Sequence, residues 1–257
     1  MSHLRFLARA AHIILALLVC VPLHYASLLF LRRSLWPRRF LGWAAYAAGM
    51  RVRVEGEPLP RDVLFLANHL SWLDILVLAG ASGTAFVAKD DVARWPVVGW
   101  LARLNATVFI ARASRSEVKG QADALRRALA SGQPVALFPE GTTEGGADIL
   151  PFRASLLASL FPPLERVKVQ PVAIDYGASA HDIAWIGDET APANARRILS
   201  RRGTAEVVLR FLEPVDPATV HDRKQLAAAA RAEIVEALSS GAPLSGSSPS
   251  GVGADRL

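Results

Sequence analysis

His69 and Asp74 lie five residues apart in the stretch NHLSWLD, residues 68–74. A histidine exchanges a proton near neutral pH, and a carboxylate beside it fixes which ring nitrogen carries that proton. Five is a poor spacing on an unbroken helix, where facing residues stand three or four apart. It works where the backbone turns between the two residues. The sequence permits that turn, because a strand-like run, DVLFLA (62–67), precedes the stretch and a helix-like run, SWLDILVLAG (71–80), continues it. The same residues also have a purely structural reading. Ser71 with Asp74 three positions on fits an acidic variant of the capping box, in which Asp74 caps the helix and complements its dipole. His69 would then be a loop residue.

If the pair does chemistry, it works without a protein nucleophile. The chain has no G-x-S-x-G elbow, and its one cysteine, Cys20, is not near a candidate base. A His–Asp pair alone suits direct attack of a substrate hydroxyl on an activated acyl group. A second candidate region is ALFPEGTTEGG, 136–146, where a strand-like run enters Glu140, Gly141 and Thr142. Backbone donors and hydroxyls in such a loop can hold an anion, and Gly141 allows close backbone approach. Glu140 could bind a substrate hydroxyl or brace an arginine. An ordinary polar turn fits these residues as well. Between the two regions, Arg112 ends the strand-like run TVFIA. It is either solvated or placed to bind an anion with its planar fork.

The elements that position these residues alternate between strand and helix from residue 52 onward. VRVEG, with alternating faces, is followed by DVLFLA, TAFVAK, ATVFIA, PVALFPE, VKVQPVAIDY and TAEVVLRFLEPV as strands. SWLDILVLAG, WPVVGWLARL, the amphipathic SRSEVKGQADALRRALASG, FRASLLASLF and DRKQLAAAARAEIVEAL are helices. Gly132 supplies a helix stop signal. This pattern predicts an α/β domain with a mixed, largely parallel sheet flanked by helices over 51–238. The tail, 239–257, lacks the apolar residues to fold.

Residues 1–50 are different. Ala10 to Leu31 form a run of 22 residues with no Asp, Glu, Lys or Arg, and about 20 such residues span a bilayer. Arginines flank it on both sides, at 5 and 9 and again at 32, 33, 38 and 39, so no inside end is marked. Pro22 interrupts the middle, and a shorter apolar patch follows at 40–50. The reading is a pair of helices dipping into one leaflet with arginines at the headgroups, with a single span as the alternative. The charge is +6 and the apolar fraction 52%, with a mean hydropathy of +0.27. Only 89, 119, 168 and 224 of the 29 basic residues are lysines. Such a balance suits nucleic acid or anionic lipid. No nucleic-acid motif appears, which leaves the membrane. One cysteine excludes disulfide scaffolds and cysteine zinc sites.

Together the motifs resemble the glycerolipid acyltransferase family, typified by 1-acyl-sn-glycerol-3-phosphate acyltransferases. The N-H-x-S-x-x-D form of its first block is complete at Asn68, His69, Ser71 and Asp74. VFIAR matches the block that ends in a phosphate-contacting arginine, Arg112. FPEGTT matches the E-G-T block at Glu140, Gly141 and Thr142, and VQPVAI the proline-containing strand at Pro171. The resemblance covers 52–215. It implies His69 as general base, Asp74 as its orienter, and Asn68, Arg112, Glu140, Gly141 and Thr142 at the substrate. It also implies an acyl-ACP or acyl-CoA donor, no cofactor or metal, and a place on the cytoplasmic face of a bacterial inner membrane. The expected product is phosphatidic acid from a lysophosphatidic acid acceptor. The chain departs from the family at Ala111, where aspartate is common, at Thr143, where many members have arginine, and at PFRAS (151–155). EGTTEGG and ILPFRAS also look like relatives that acylate lyso-ornithine lipid, whose headgroup has no phosphate. A non-catalytic lipid-binding protein is the alternative of another class; the intact motif argues against it, since binding needs no base.

Overall fold

The computed structural model describes residues 1–110, 115–143, 145 and 148–241, and for 115–122 the backbone alone. Arg112 and the tail from 242 lie outside the described residues. The chain opens with α1 (Ser2–Leu31) and α2 (Trp36–Ala47), then β1 (Met50–Glu55), β2 (Val63–Ala67), α3 (Leu73–Ser82) and β3 (Ala85–Lys89). There follow α4 (Asp90–Ala93), α5 (Pro96–Leu104), β4 (Val108–Ile110), α6 (Arg115–Ala130) and β5 (Val135–Leu137). The last part holds β6 (Lys168–Asp175), α7 (Ala180–Ile183), α8 (Ala191–Ser200), β7 (Ala205–Phe211) and α9 (Arg223–Ser240).

Seven strands form one sheet in the order β1-β7-β6-β2-β5-β3-β4. All pairs are parallel except β6 with β7. The central strand β2 is buried on both faces, as its unbroken apolar run requires. Val63, Phe65 and Ala67 join the core under α1, α2, α3 and α8, while Leu64 and Leu66 join the core under α6 and α9. Parallel pairing brings the carboxyl ends of β2, β3, β5 and β6 to one edge of the sheet, where open α/β sheets bind ligands.

Three expectations from sequence are revised. β1 does not alternate; its four middle residues are exposed, because it is the edge strand and pairs only with β7. FRASLLASLF forms a 3-10 helix over Ala154–Leu160 rather than an α-helix. Pro162 follows closely and denies the segment length. Pro22 does not break the first helix, which runs through it to Leu31. Helices α7 and α8, short and largely polar, were not expected at all.

The helical pair at the N-terminus is latched and docked. His24 Nδ1 meets Ser34 Oγ at 2.9 Å, and Trp36 Nε1 donates to Ser27 Oγ at 2.9 Å. α2 then packs along α3 through two glycines. A Cβ added at Gly80 would lie 2.6 Å from the Cα of Gly42, whereas one added at Gly42 would meet Gly80 Cα at an ordinary 3.5 Å. Arg38 on α2 donates to the carbonyls of Gly80 and Ala81 at the end of α3.

This asymmetry gives a stability prediction. Gly80→Ala should lower unfolding free energy by about 1–3 kcal/mol, the range for overpacking. Gly42→Ala, free of the clash and a better helix former, should cost less than about 1 kcal/mol. Thermal melts of both variants in one detergent check the order; equal losses would show that the helices do not meet here.

Candidate active site

The site forms where β2 ends and α3 begins. Chain direction reverses across residues 68–72, and that turn brings His69 and Asp74 together despite their spacing. His69 Nδ1 lies 2.9 Å from Asp74 Oδ2. Since a carboxylate oxygen accepts, Nδ1 carries the proton and Nε2 is left to accept one. The same Oδ2 accepts the backbone N–H groups of Leu70 (2.6 Å) and Ser71 (2.8 Å). Asp74 is fully buried, and the His69 side chain keeps 18% of its surface open. Its ring stacks on Phe138, with centroids 4.0 Å apart and planes at 12°. Phe86 stacks behind Phe138.

Capping and orientation are therefore one arrangement, not competing readings. Asp74 accepts the Ser71 N–H as a capping box requires. Ser71 Oγ returns only a stretched contact to Leu73 N, at 3.5 Å. The carboxylate that starts the helix also fixes the imidazole.

A residue absent from the sequence reading completes Asp74. Tyr176, just after β6, donates from its hydroxyl to Asp74 Oδ1 at 2.7 Å. It is buried. Burial first, then the charge of Asp74, pushes its ionisation well above the usual phenol range, so it stays a donor. Its only signal in the sequence was its place at the end of a buried strand, on the edge where His69 lies.

Two proposed substrate ligands have other work. Asn68 exchanges two hydrogen bonds with Ile174 of β6: its Nδ2 donates to the carbonyl (3.0 Å) and its Oδ1 accepts the N–H (2.8 Å). It extends the sheet pairing into the turn, and one N–H and one lone pair of the amide are left over. Glu140 is 2% exposed. Its Oε1 accepts the His69 N–H (2.7 Å) and its Oε2 the Leu150 N–H (2.9 Å). From the loop after β5 it braces the turn that carries His69. Burial raises its pKa, and the two N–H donors oppose that rise.

The rest of the E-G-T loop is open. Gly141 sits at φ +76°, and a Cβ there would be 3.2 Å from the Arg153 guanidinium. Thr142 is exposed. Thr143 Oγ1 donates to the carbonyl of Trp185 (2.6 Å), while Trp185 N–H donates to the carbonyl of Leu70 (2.9 Å). One residue thus straps the two motifs together. The Arg112 assignment lies outside the described residues.

The arrangement can do one thing well. It holds an imidazole by its Nδ1 and against Phe138, with Nε2 left for a hydroxyl at the sheet edge. Asp74→Asn should cut acyl-transfer rate by about 10²–10⁴-fold, and also cost about 1–3 kcal/mol of stability because the same oxygen caps the turn. Tyr176→Phe should lower kcat about tenfold, a charged hydrogen bond's share, with KM for the acyl donor unchanged; an unchanged kcat would make Tyr176 mere packing. Glu140 supplies a pH test. With its folded pKa raised, the folded state holds more protons than the unfolded state between the two values. The contribution is present below the unfolded pKa and lost as pH rises through the folded one. Urea melts from about pH 4 to neutrality should show wild-type stability falling relative to Glu140→Gln across that window.

Comparison with known proteins agrees with this chemistry. The family model described as Acyltransferase matches residues 51–175. The chain is 40% identical over 233 residues to the lyso-ornithine lipid O-acyltransferase of Rhizobium meliloti, covering 82% of this chain and 79% of that one. It is 37% identical over 160 residues to the 1-acyl-sn-glycerol-3-phosphate acyltransferase of Neisseria gonorrhoeae, covering 61% and 58%. The crystal structure of the 1-acyl-sn-glycerophosphate (LPA) acyltransferase PlsC from Thermotoga maritima shares the fold, with a TM-score of 0.61 at 23% identity over 94% of this chain and 96% of that one. Among the described residues a hydrogen-bonded His–Asp pair stands at the sheet edge, and the kinship runs through most of the chain: it belongs to the glycerolipid acyltransferase family, as an enzyme that acylates a lysolipid.

Proposed function

We propose that the acceptor is a lyso-ornithine lipid, whose free hydroxyl is acylated from acyl-ACP or acyl-CoA. Thr143 carries this reading. Many family members place an arginine here, after E-G-T. In this chain the position holds a hydroxyl already committed to the Trp185 carbonyl. It brings no cation to a phosphate. An ornithine headgroup offers a carboxylate and an ammonium instead, and the Rhizobium relative named for that lipid matches 82% of this chain. The motif resemblance put the phosphate acceptor first; Thr143 is the reason the order changes.

The steps follow from the geometry. The acceptor hydroxyl lies against His69 Nε2 and gives up its proton as its oxygen bonds to the thioester carbonyl carbon. Asp74 stabilises the imidazolium that forms. The tetrahedral centre then collapses, the C–S bond breaks, and the imidazolium returns the proton to the leaving thiolate. His69 ends neutral, with Nδ1 still protonated. Acyl-ACP and acyl-CoA are cytosolic carriers, and such a donor supports a working edge at the cytoplasmic face of the membrane. The exposed apolar side of α1, with Leu4, Leu7, Ile14, Leu15 and Leu18, is the surface that meets lipid.

Acylation of 1-acyl-sn-glycerol-3-phosphate is the second reading. Arg112 in the sequence motif VFIAR and the Neisseria relative favour it. Purified full-length protein assayed with both acceptors side by side separates the two. Wild type should prefer lyso-ornithine lipid, Arg112→Ala should leave that activity largely intact, and Thr143→Arg should raise the relative use of lysophosphatidic acid about tenfold. A wild type that prefers lysophosphatidic acid, with KM for that acceptor rising sharply in Arg112→Ala, would sink the ornithine reading.

A further inference from the structure

Where α1 meets the α/β domain, four arginines converge that acyl transfer does not use. Arg5 Nε donates to the carbonyl of Ser200 (3.0 Å). Arg9 donates through Nη1 to Ile198 (3.2 Å) and through Nη2 to Gly203 (2.5 Å). These carbonyls lie at or just past the carboxyl end of α8, where the helix dipole favours cations. Sequence places Arg5 and Arg9 at lipid headgroups; in the structure both also donate to the end of α8, which fixes Arg9 beside Arg201. Arg201 has no such explanation. It follows α8 directly, and its Nε and Nη2 are buried without a hydrogen-bond partner. Arg51 stands opposite: Met50 pairs with Ala205, and Gly49 accepts from the Ala205 N–H at 2.9 Å. Burial, then Arg201, Arg5 and Arg51 in turn, lower the pKa of Arg9. Among the described residues, none of the four pairs with a carboxylate.

A guanidinium desolvated without a partner is costly, and like charges beside it add to the cost. What the cluster lacks is an anion with several acceptor oxygens. We propose that Arg201, with Arg9 and Arg51, is a binding site for a phosphate group, and that the phosphate is the headgroup of an anionic phospholipid. Its place in the fold favours lipid over free phosphate. β7 runs antiparallel to β6, and β6 is parallel to β2. The starts of β1 and β7 therefore lie at the sheet edge where β2 delivers His69. Three strand spacings separate the cluster from β2, about 14 Å. A bilayer that reaches one can reach the other. The apolar side of α1 begins at the same place, so acyl chains have a surface beside the headgroup. The site is separate from the acceptor's: it holds a resident lipid and sets the enzyme's tilt on the membrane.

Vesicle flotation of the full chain tests this, comparing phosphatidylcholine alone with phosphatidylcholine plus phosphatidylglycerol. Arg201→Gln should bind the anionic vesicles about fivefold less, the share of one arginine at such a surface. Its binding to neutral vesicles should not change, and Arg223→Gln, on the far face of the sheet, should match wild type on both. In detergent without lipid, Arg201→Gln should melt at or above the wild-type temperature and keep its acyl-transfer rate, since a cation with two buried, unpartnered nitrogens has been removed. Wild-type binding to anionic vesicles by Arg201→Gln overturns the site. An equal loss on both vesicles overturns it too, because the change then acts on the anchor as a whole. If inorganic phosphate raises the melting temperature of wild type but not of Arg201→Gln, while vesicle binding is the same, the ligand is soluble phosphate and the lipid assignment fails.

Discussion

One carboxylate holds the working part of this protein together. Asp74 is fully buried, and its two oxygens accept four donors: the imidazole of His69, the N–H groups of Leu70 and Ser71, and the Tyr176 hydroxyl. A buried charge is tolerated only when it is fully satisfied. Here the donors come from the turn itself, the histidine it serves and a strand over a hundred residues away. Satisfying the charge therefore assembles the site. The turn cannot relax without uncovering the carboxylate, and the histidine cannot swing away without removing a donor from it.

The surrounding structure restates that constraint at longer range. Glu140 reaches from the loop after β5 to the N–H of His69, so the second motif clamps the first. Asn68 does the same toward β6 by exchanging two hydrogen bonds with Ile174. β2 thus has both neighbouring strands tied to the residues just past its end. Phe138, from the same loop as Glu140, backs the imidazole face. Three of the family's motifs therefore act on one ring: one supplies it, one braces it, and the strand that carries Pro171 delivers Asn68's partner and Tyr176. The open parts of the E-G-T loop, Gly141 and Thr142, stay outside this brace.

The fold was largely legible because its signal is periodicity. An unbroken apolar run marked β2, which is buried on two faces as such a run demands; β6 is as buried although Gln170 interrupts its run. Helices α7 and α8 escaped because they are short and mostly polar; α8 is positioned by partners such as Trp72, which donates to Asn194, and no local pattern announces that. The His–Asp pair was legible because its residue types are rare in a strand-to-helix turn. The roles of Asn68 and Glu140 were not. A sequence shows that a polar residue sits in a motif, but not whether its hydrogen bonds face inward. Tyr176 was invisible for the related reason that its partner is remote in sequence. Residue type carried the chemistry, and tertiary contact decided which polar groups remained for substrate.

The N-terminal pair shows how far the catalytic turn depends on what lies outside it. Residues 1–50 read as a separate anchor, yet Leu41, Ala44, Ala45 and Ala48 are buried in the same core as Leu73, Val77 and Leu78 of α3. The Gly42–Gly80 contact brings the two backbones too close for a side chain at Gly80. α3 begins with the carboxylate on which the site depends, so the helix that holds Asp74 is packed on its outer side by the element that meets lipid. Without that pair, α3 would present a bare apolar face at one end and a buried charge at the other. The N-terminal pair and the helix that carries Asp74 therefore form one packing unit, so a loss of packing on the outer face of α3 bears on the turn that Asp74 holds.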